Sequence, residues 1–150
     1  MKFSVVTVLT TLLAGSAIAA PAPAAEVKSM AAQATWTVED MKRVCDKSDT
    51  SCTWTFGVNA GSAGKNTCTF TVKKSGNVVA SRAPNKGSKC GPYTITSGWS
   101  GQFGEGQGFT TLSVVNQGKK QIAWPAYTDK QLAGGKVVKP NQSYPVQALP

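Results

Sequence analysis

The sequence contains no histidine, and its 150 residues include only 7 Asp and Glu. Without His there is no Ser-His-Asp triad, no Cys-His dyad and no His-ligated zinc. Charged residues make up 15% of the chain, against roughly 25% in ordinary soluble domains. Arginine is scarcer still: Arg43 and Arg82 stand alone among many Lys. No apolar run is long enough to cross a bilayer as a helix. The longest, residues 3–14, follows Lys2 and precedes Ala17-Ile18-Ala19, a small-x-small pattern. That order reads as a secretory signal peptide over residues 1–19 and not as a membrane anchor. Its removal leaves 131 residues with 15 Lys and Arg against 7 acids, a net +8. One domain accounts for that length.

What the chain has instead is Thr, Ser, Gly, Asn, Gln and four cysteines. Cys45, Cys52, Cys68 and Cys90 are separated by six, fifteen and twenty-one residues. Zinc sites built from four cysteines use paired short spacings, so no metal is expected. No C-x-x-C redox pair is present. Two structural disulfides fit a secreted chain. Of the three possible connectivities, sequential pairing, Cys45–Cys52 and Cys68–Cys90, is the expectation.

Residues 20–34 are rich in Ala and Pro and have no β-period, so they read as a flexible leader. From Thr35 to Pro150 the sequence reads as a single β domain. Residues 52–58 alternate, with Cys52, Trp54, Phe56 and Val58 on one face. Residues 68–74 repeat the pattern with Cys68, Phe70 and Val72. Period two with β-branched and aromatic residues is the strand signal, and the turn-rich residues 59–66 make these two strands a hairpin. Residues 35–45 start as a strand but lose parity at Met41. A bulge near Glu39-Asp40 explains this, and so does one helical turn. Shorter strands are expected at 77–81, 93–96, 110–115, 121–124 and 137–138. Residues 127–133 form the one helix-like segment, with Thr128 as cap and Gln131 three residues on. The expected fold is therefore all-β: an antiparallel barrel or sandwich of about seven to nine short strands with one short helix and two disulfides. Trp54, Phe56, Phe70, Val72, Leu112 and Val114 are its expected core.

Catalysis has few candidates. A glycosidase needs two carboxyls across a sugar cleft, and Glu105 with Asp129 is the only pair worth naming. The competing reading makes Glu105 an exposed loop charge and Asp129 a helix N-terminal residue. The distinctive segment is residues 97–109, five glycines interleaved with Trp99, Phe103 and Phe109. It lacks the G-x-G-x-x-G dinucleotide pattern. Either its aromatics plug an open end of the β-structure, or they stay exposed and contact a partner. The candidate surface is Trp99, Gln102, Phe103 and Glu105, extended by Tyr127. The basic excess suits anionic surfaces. No nucleic-acid signature is present, and no cofactor is expected. Asn141-Gln142-Ser143 is a sequon, which makes Asn141 a candidate glycosylation site in a eukaryotic secretory pathway.

Three segments carry a resemblance: Cys90-Gly91-Pro92, the glycine-aromatic residues 97–111, and Trp124-Pro125-Ala126-Tyr127-Thr128-Asp129. With their surroundings over residues 35–149, they resemble small secreted proteins of filamentous fungi described as hypersensitive-response-inducing elicitors or apoplastic effectors. The resemblance implies a compact barrel-like domain with two disulfides and no known catalytic residues. It also implies a secreted, non-enzymatic protein that triggers cell death and defence in plants; a monomer is expected. Its partner would be a host plant protein or a cell-wall polysaccharide. The alternative is a basic antimicrobial or membrane-active or wall-binding protein, with a carbohydrate-active enzyme as a third class.

Overall fold

The computed structural model describes residues 33–150. The expected signal peptide, and all of the expected leader except Gln33 and Ala34, lie outside the described residues. Those two are tied down: Ala34 accepts from the Val146 N–H at 2.8 Å, and Gln33 donates to the Val146 carbonyl at 3.3 Å.

Ten strands follow in chain order: β1 Thr35–Cys45, β2 Ser51–Asn59, β3 Lys65–Lys73, β4 Asn85–Cys90 and β5 Tyr93–Ser100, then β6 Phe109–Asn116, β7 Gln121–Ala123, β8 Ala126–Thr128, β9 Gln142–Pro145 and β10 Gln147–Ala148. Among the described residues one α-helical turn, α1, spans Asp129–Leu132, and short 3-10 turns lie at Gly61–Ala63 and Ala133–Gly135. The strands form two sheets, ordered β3-β2-β1-β9 and β10-β7-β6-β5-β4, with β8 paired to β6. All pairings are antiparallel. Of the two architectures expected, the sandwich is the one adopted. The sheets do not close into a barrel.

The alternation in β2 and β3 builds the core as expected. Trp54 pairs with Phe70 and Phe56 with Cys68 across the hairpin. The Trp54 and Phe70 rings stack at 6.0 Å, and Phe56 meets Phe70 edge-on at 6.2 Å. From the second sheet, Tyr93 reaches Trp36 at 5.1 Å, edge to face. All six expected core residues are buried. The parity break in β1 is a bulge: Glu39 pairs with Gly57 but Lys42 with Thr55, so Asp40 and Met41 together face one partner residue. Asp40 takes a φ of 52°, which turns Met41 inward and Arg43 after it.

Both expected disulfides form. Cys45–Cys52 bridges neighbouring strands of one sheet. Cys68–Cys90 joins β3 to β4, the edge strands of different sheets. At the opposite edge the chain itself crosses from β9 to β10 through buried Val146.

Three short expectations fail. Residues 77–81 are turns anchored by a single Ser75–Val78 bridge. Val137-Val138 is not a strand, although Val138 is buried and donates to the Met41 carbonyl at the bulge. The strands near the chain's end are β9 and β10 instead. The helix is confined to Asp129–Leu132 because Ala126–Thr128 pairs with β6. Its capping box is as expected, with Gln131 N–H donating to Thr128 Oγ1 at 3.2 Å and Thr128 N–H to Gln131 Oε1 at 2.8 Å.

Candidate functional site

One end of the sandwich, where β5 gives way to β6, holds most of the candidate residues. The register of the β5–β6 pair decides their fates. Trp99 pairs with Thr110 on the inner face, and Ser100 with Phe109 on the outer face. Trp99 therefore turns into the end of the sandwich, where Asp129 awaits it at the start of α1. Its Nε1 donates to Asp129 Oδ2 at 2.9 Å. Arg43 Nη1 approaches Asp129 Oδ1 at 3.3 Å and donates to the Ser81 carbonyl at 3.1 Å. Arg43 is 8% exposed, and its guanidinium lies 5.4 Å from the Trp54 ring centre. The Arg82 guanidinium covers the Trp99 ring at 4.6 Å. A chain of contacts thus runs from the core outward: Trp54, Arg43, Asp129, Trp99, Arg82.

Glycine is required where the backbone passes Trp99. A Cβ on Gly101 would lie 2.4 Å from the indole ring, and one on Gly108 2.8 Å from it. Gly104 and Gly106 take φ of 100° and 70°, a region side chains disfavour. Two turns result, closed by Gly104 N–H to the Gly101 carbonyl at 3.0 Å and Gln107 N–H to the Gly104 carbonyl at 3.2 Å. Together these residues wall a cleft of about 560 Å³ with Arg82, Trp99, Glu105 and Asp129 along it. Phe103 at the loop tip is not part of this lining. Phe103 is 68% exposed and stacks on Phe109 with ring centres 5.7 Å apart.

The two readings of the glycine-aromatic segment thus divide between two residues: Trp99 closes the sandwich end, and Phe103 stands in solvent. Gln102 and Glu105 are exposed beside it. Tyr127 is the exception among the candidates. It pairs with Thr110 and faces inward, leaving it 1% exposed, so it cannot extend the surface. Burial, with Tyr144 close by, pushes its phenol well above the ordinary tyrosine range. Glu105 and Asp129 do line one cleft, but both Asp129 oxygens are taken by Arg43 and Trp99.

Residues 37–149 match the family model described as Effector TSP1. The chain is also 51% identical to a protein named Effector TSP1 from the fungus Hypocrea virens, over 150 residues and 100% of both chains. The chain belongs to the Effector TSP1 family. The signature residues quoted for the fungal-effector resemblance have structural work in this family member. Cys90 staples the sheets, residues 97–111 build the cleft, and Asp129 anchors Trp99.

Asn141 is exposed, and its Oδ1 accepts from the bulge Asp40 N–H at 3.0 Å. Among the described residues, Cys45, Asp49 and Cys52 cluster closely enough for a metal, but both sulfurs belong to a disulfide. Sequence reasoning missed both arginines as organisers of the end cleft. Their rarity among so many Lys is the signal that could have found them, since a planar fork suits stacking and fixed ion pairs where an ammonium does not. It also missed Trp124, which is 51% exposed on the β7–β8 connection.

Proposed function

We propose that this effector is a secreted, non-enzymatic, monomeric protein that plants perceive in the apoplast, responding with hypersensitive cell death and defence. Phe103 carries the reading. It is a large apolar ring, 68% exposed, stacked on a second aromatic and presented on a glycine-built loop. Rigid aromatics of this kind are the residues that anchor interfaces. Phe103, Gln102 and Glu105 form the contact surface in this reading. Membership of a named effector family and two disulfides suited to an oxidising compartment support it. The non-enzymatic part rests on the Glu105 and Asp129 pair. Asp129 is engaged as a structural ion-pair partner, which leaves Glu105 without a free second carboxyl in the cleft. The partner is a host plant protein or a wall polysaccharide, and Asn141 is the candidate glycan site.

The test applies the same purified protein to three targets. Infiltrated leaves are expected to show localised cell death and induced defence. Cultured bacteria and fungi are expected to grow normally, and isolated wall polysaccharides to release no reducing ends. Growth inhibition at low dose with silent leaves would instead favour the basic antimicrobial reading.

A further inference from the structure

The cleft behind the Phe103 loop contains a cation that the fold holds in place but does not pair. The ion pairs among the described residues use Arg43, Lys65 and Lys139, and Arg82 is in none of them. Its guanidinium nevertheless sits over the Trp99 ring, 4.6 Å from the ring centre. Trp99 is fixed by its N–H bond to Asp129, and Asp129 by buried Arg43. Arg82 is exposed to solvent yet packs against a ring that is itself anchored, and its N–H donors make no ion pair among the described residues. A planar fork of N–H donors matches a carboxylate bidentately.

The rest of the cleft narrows the choice of ligand. Its volume of about 560 Å³ falls within the roughly 300–1,000 Å³ of small-ligand sites. Half of its eight lining residues are glycines, and Trp99 is the one large apolar side chain among them. Glu105 on the rim accepts hydrogen bonds but donates none, which suits a ligand rich in hydroxyls. The chain's net charge of +9 draws polyanions to the surface. We infer that the cleft binds a uronate residue of an acidic polysaccharide, its carboxylate on Arg82 and its hydroxyls on Glu105. This rests on the reading of this end of the sandwich as the working surface, and it names a ligand class for it.

The test is calorimetric titration of the full mature chain with a de-esterified oligogalacturonide, at low and at physiological salt. Two variants of equal charge loss are compared. Arg82→Gln removes the fork at the cleft. Lys119→Gln removes a charge at the opposite end of β6, beyond Asn116. Both positions are exposed, and unchanged melting temperatures verify the fold. Binding is expected to fall at least tenfold in Arg82→Gln and less than twofold in Lys119→Gln. The fully methyl-esterified oligomer, which lacks the carboxylate, is expected to bind at least tenfold more weakly than the free acid. Equal losses in the two variants would overturn the proposal in favour of diffuse charge attraction. So would equal binding of the ester, or of poly-aspartate, or undetectable binding of the free acid. Infiltration of wild-type protein into leaves is scored separately, so failure of the ligand leaves the effector reading standing, and a silent leaf leaves the binding result intact.

Discussion

The β2–β3 hairpin and the β5–β6 pair are both antiparallel reversals rich in aromatics, and both bury rings in the core, Tyr93 among them, but they differ at the end where the chain reverses. The hairpin turns all of its rings inward: Trp54, Phe56 and Phe70 are buried, and the intervening residues 60–64 carry no aromatic. The β5–β6 pair buries Trp99 only partly and sends Phe103 into solvent at the tip of residues 101–108. Both reversals are held by neighbours. The hairpin is held by the two disulfides, at Cys52 and at Cys68. The β5–β6 loop is held by Trp99, Asp129 and glycine turns. The difference teaches where stability and recognition separate. In the hairpin an aromatic ring is stabilising material. In the loop the inward ring supports the scaffold and the outward ring is free to meet a partner.

The largest effects are expected in the hairpin. Trp54→Ala removes a buried ring at the centre of the core and should destabilise the fold by about 3–5 kcal/mol, measured by chemical denaturation. Removing the sheet-to-sheet staple with Cys68→Ala/Cys90→Ala should cost about 3.4 kcal/mol on the chain-entropy estimate. The shorter Cys45–Cys52 loop should cost about 2.5 kcal/mol. A loss of under about 1 kcal/mol at either cross-link would mean that the hairpin is not the mechanical centre of the fold.

Smaller effects belong to the loop's supports. Asp129→Asn leaves buried Arg43 without its carboxylate and should cost about 1–3 kcal/mol, together with loosening of the indole, read as a change in tryptophan fluorescence. Smaller again is the exposed cluster at the β1 bulge. Lys139 and Lys65 hold the Asp40 carboxyl below its ordinary range, and Asn59 and Lys65 do the same for Glu39. A carboxyl with a lowered folded pKa stabilises fully above its unfolded pKa and loses that contribution as pH falls through the folded one. The cluster's share should therefore be present at neutral pH and fade below about pH 4. Neutral Asp40→Asn protein should show a flatter acid limb, and high salt at pH 7 should narrow the gap to wild type.

Much of this was legible in the sequence because period two and cysteine spacing are local signals. Trp54, Phe56, Phe70 and Val72 announce their face within a few residues, and the parity break at Met41 marks the bulge. Asn85–Cys90 gives no such signal. Its residues, NKGSKC, become a strand because Cys90 is tethered to Cys68 and because β5 offers a partner. Val137-Val138 gives a misleading one: Val138 is buried by docking on the Met41 carbonyl, not by a ladder. The division between Trp99 and Phe103 depends on the β5–β6 register, which fixes the face of every residue up to Ser100 and Phe109. Tyr127 follows the same rule, since pairing with Thr110 commits it to the interior.

The most direct test sets Trp99→Ala beside Phe103→Ala, with melting temperature and leaf response measured on the same preparations. Trp99→Ala is expected to melt several degrees lower, because it loses its bond to Asp129 and the platform under Arg82. Phe103→Ala is expected to keep its melting temperature within about a degree or two, since exposed substitutions usually fall within about 0.5 kcal/mol, and to lose most of the leaf response. A stable Phe103→Ala protein with full activity would contradict the assignment of this loop as the contact surface.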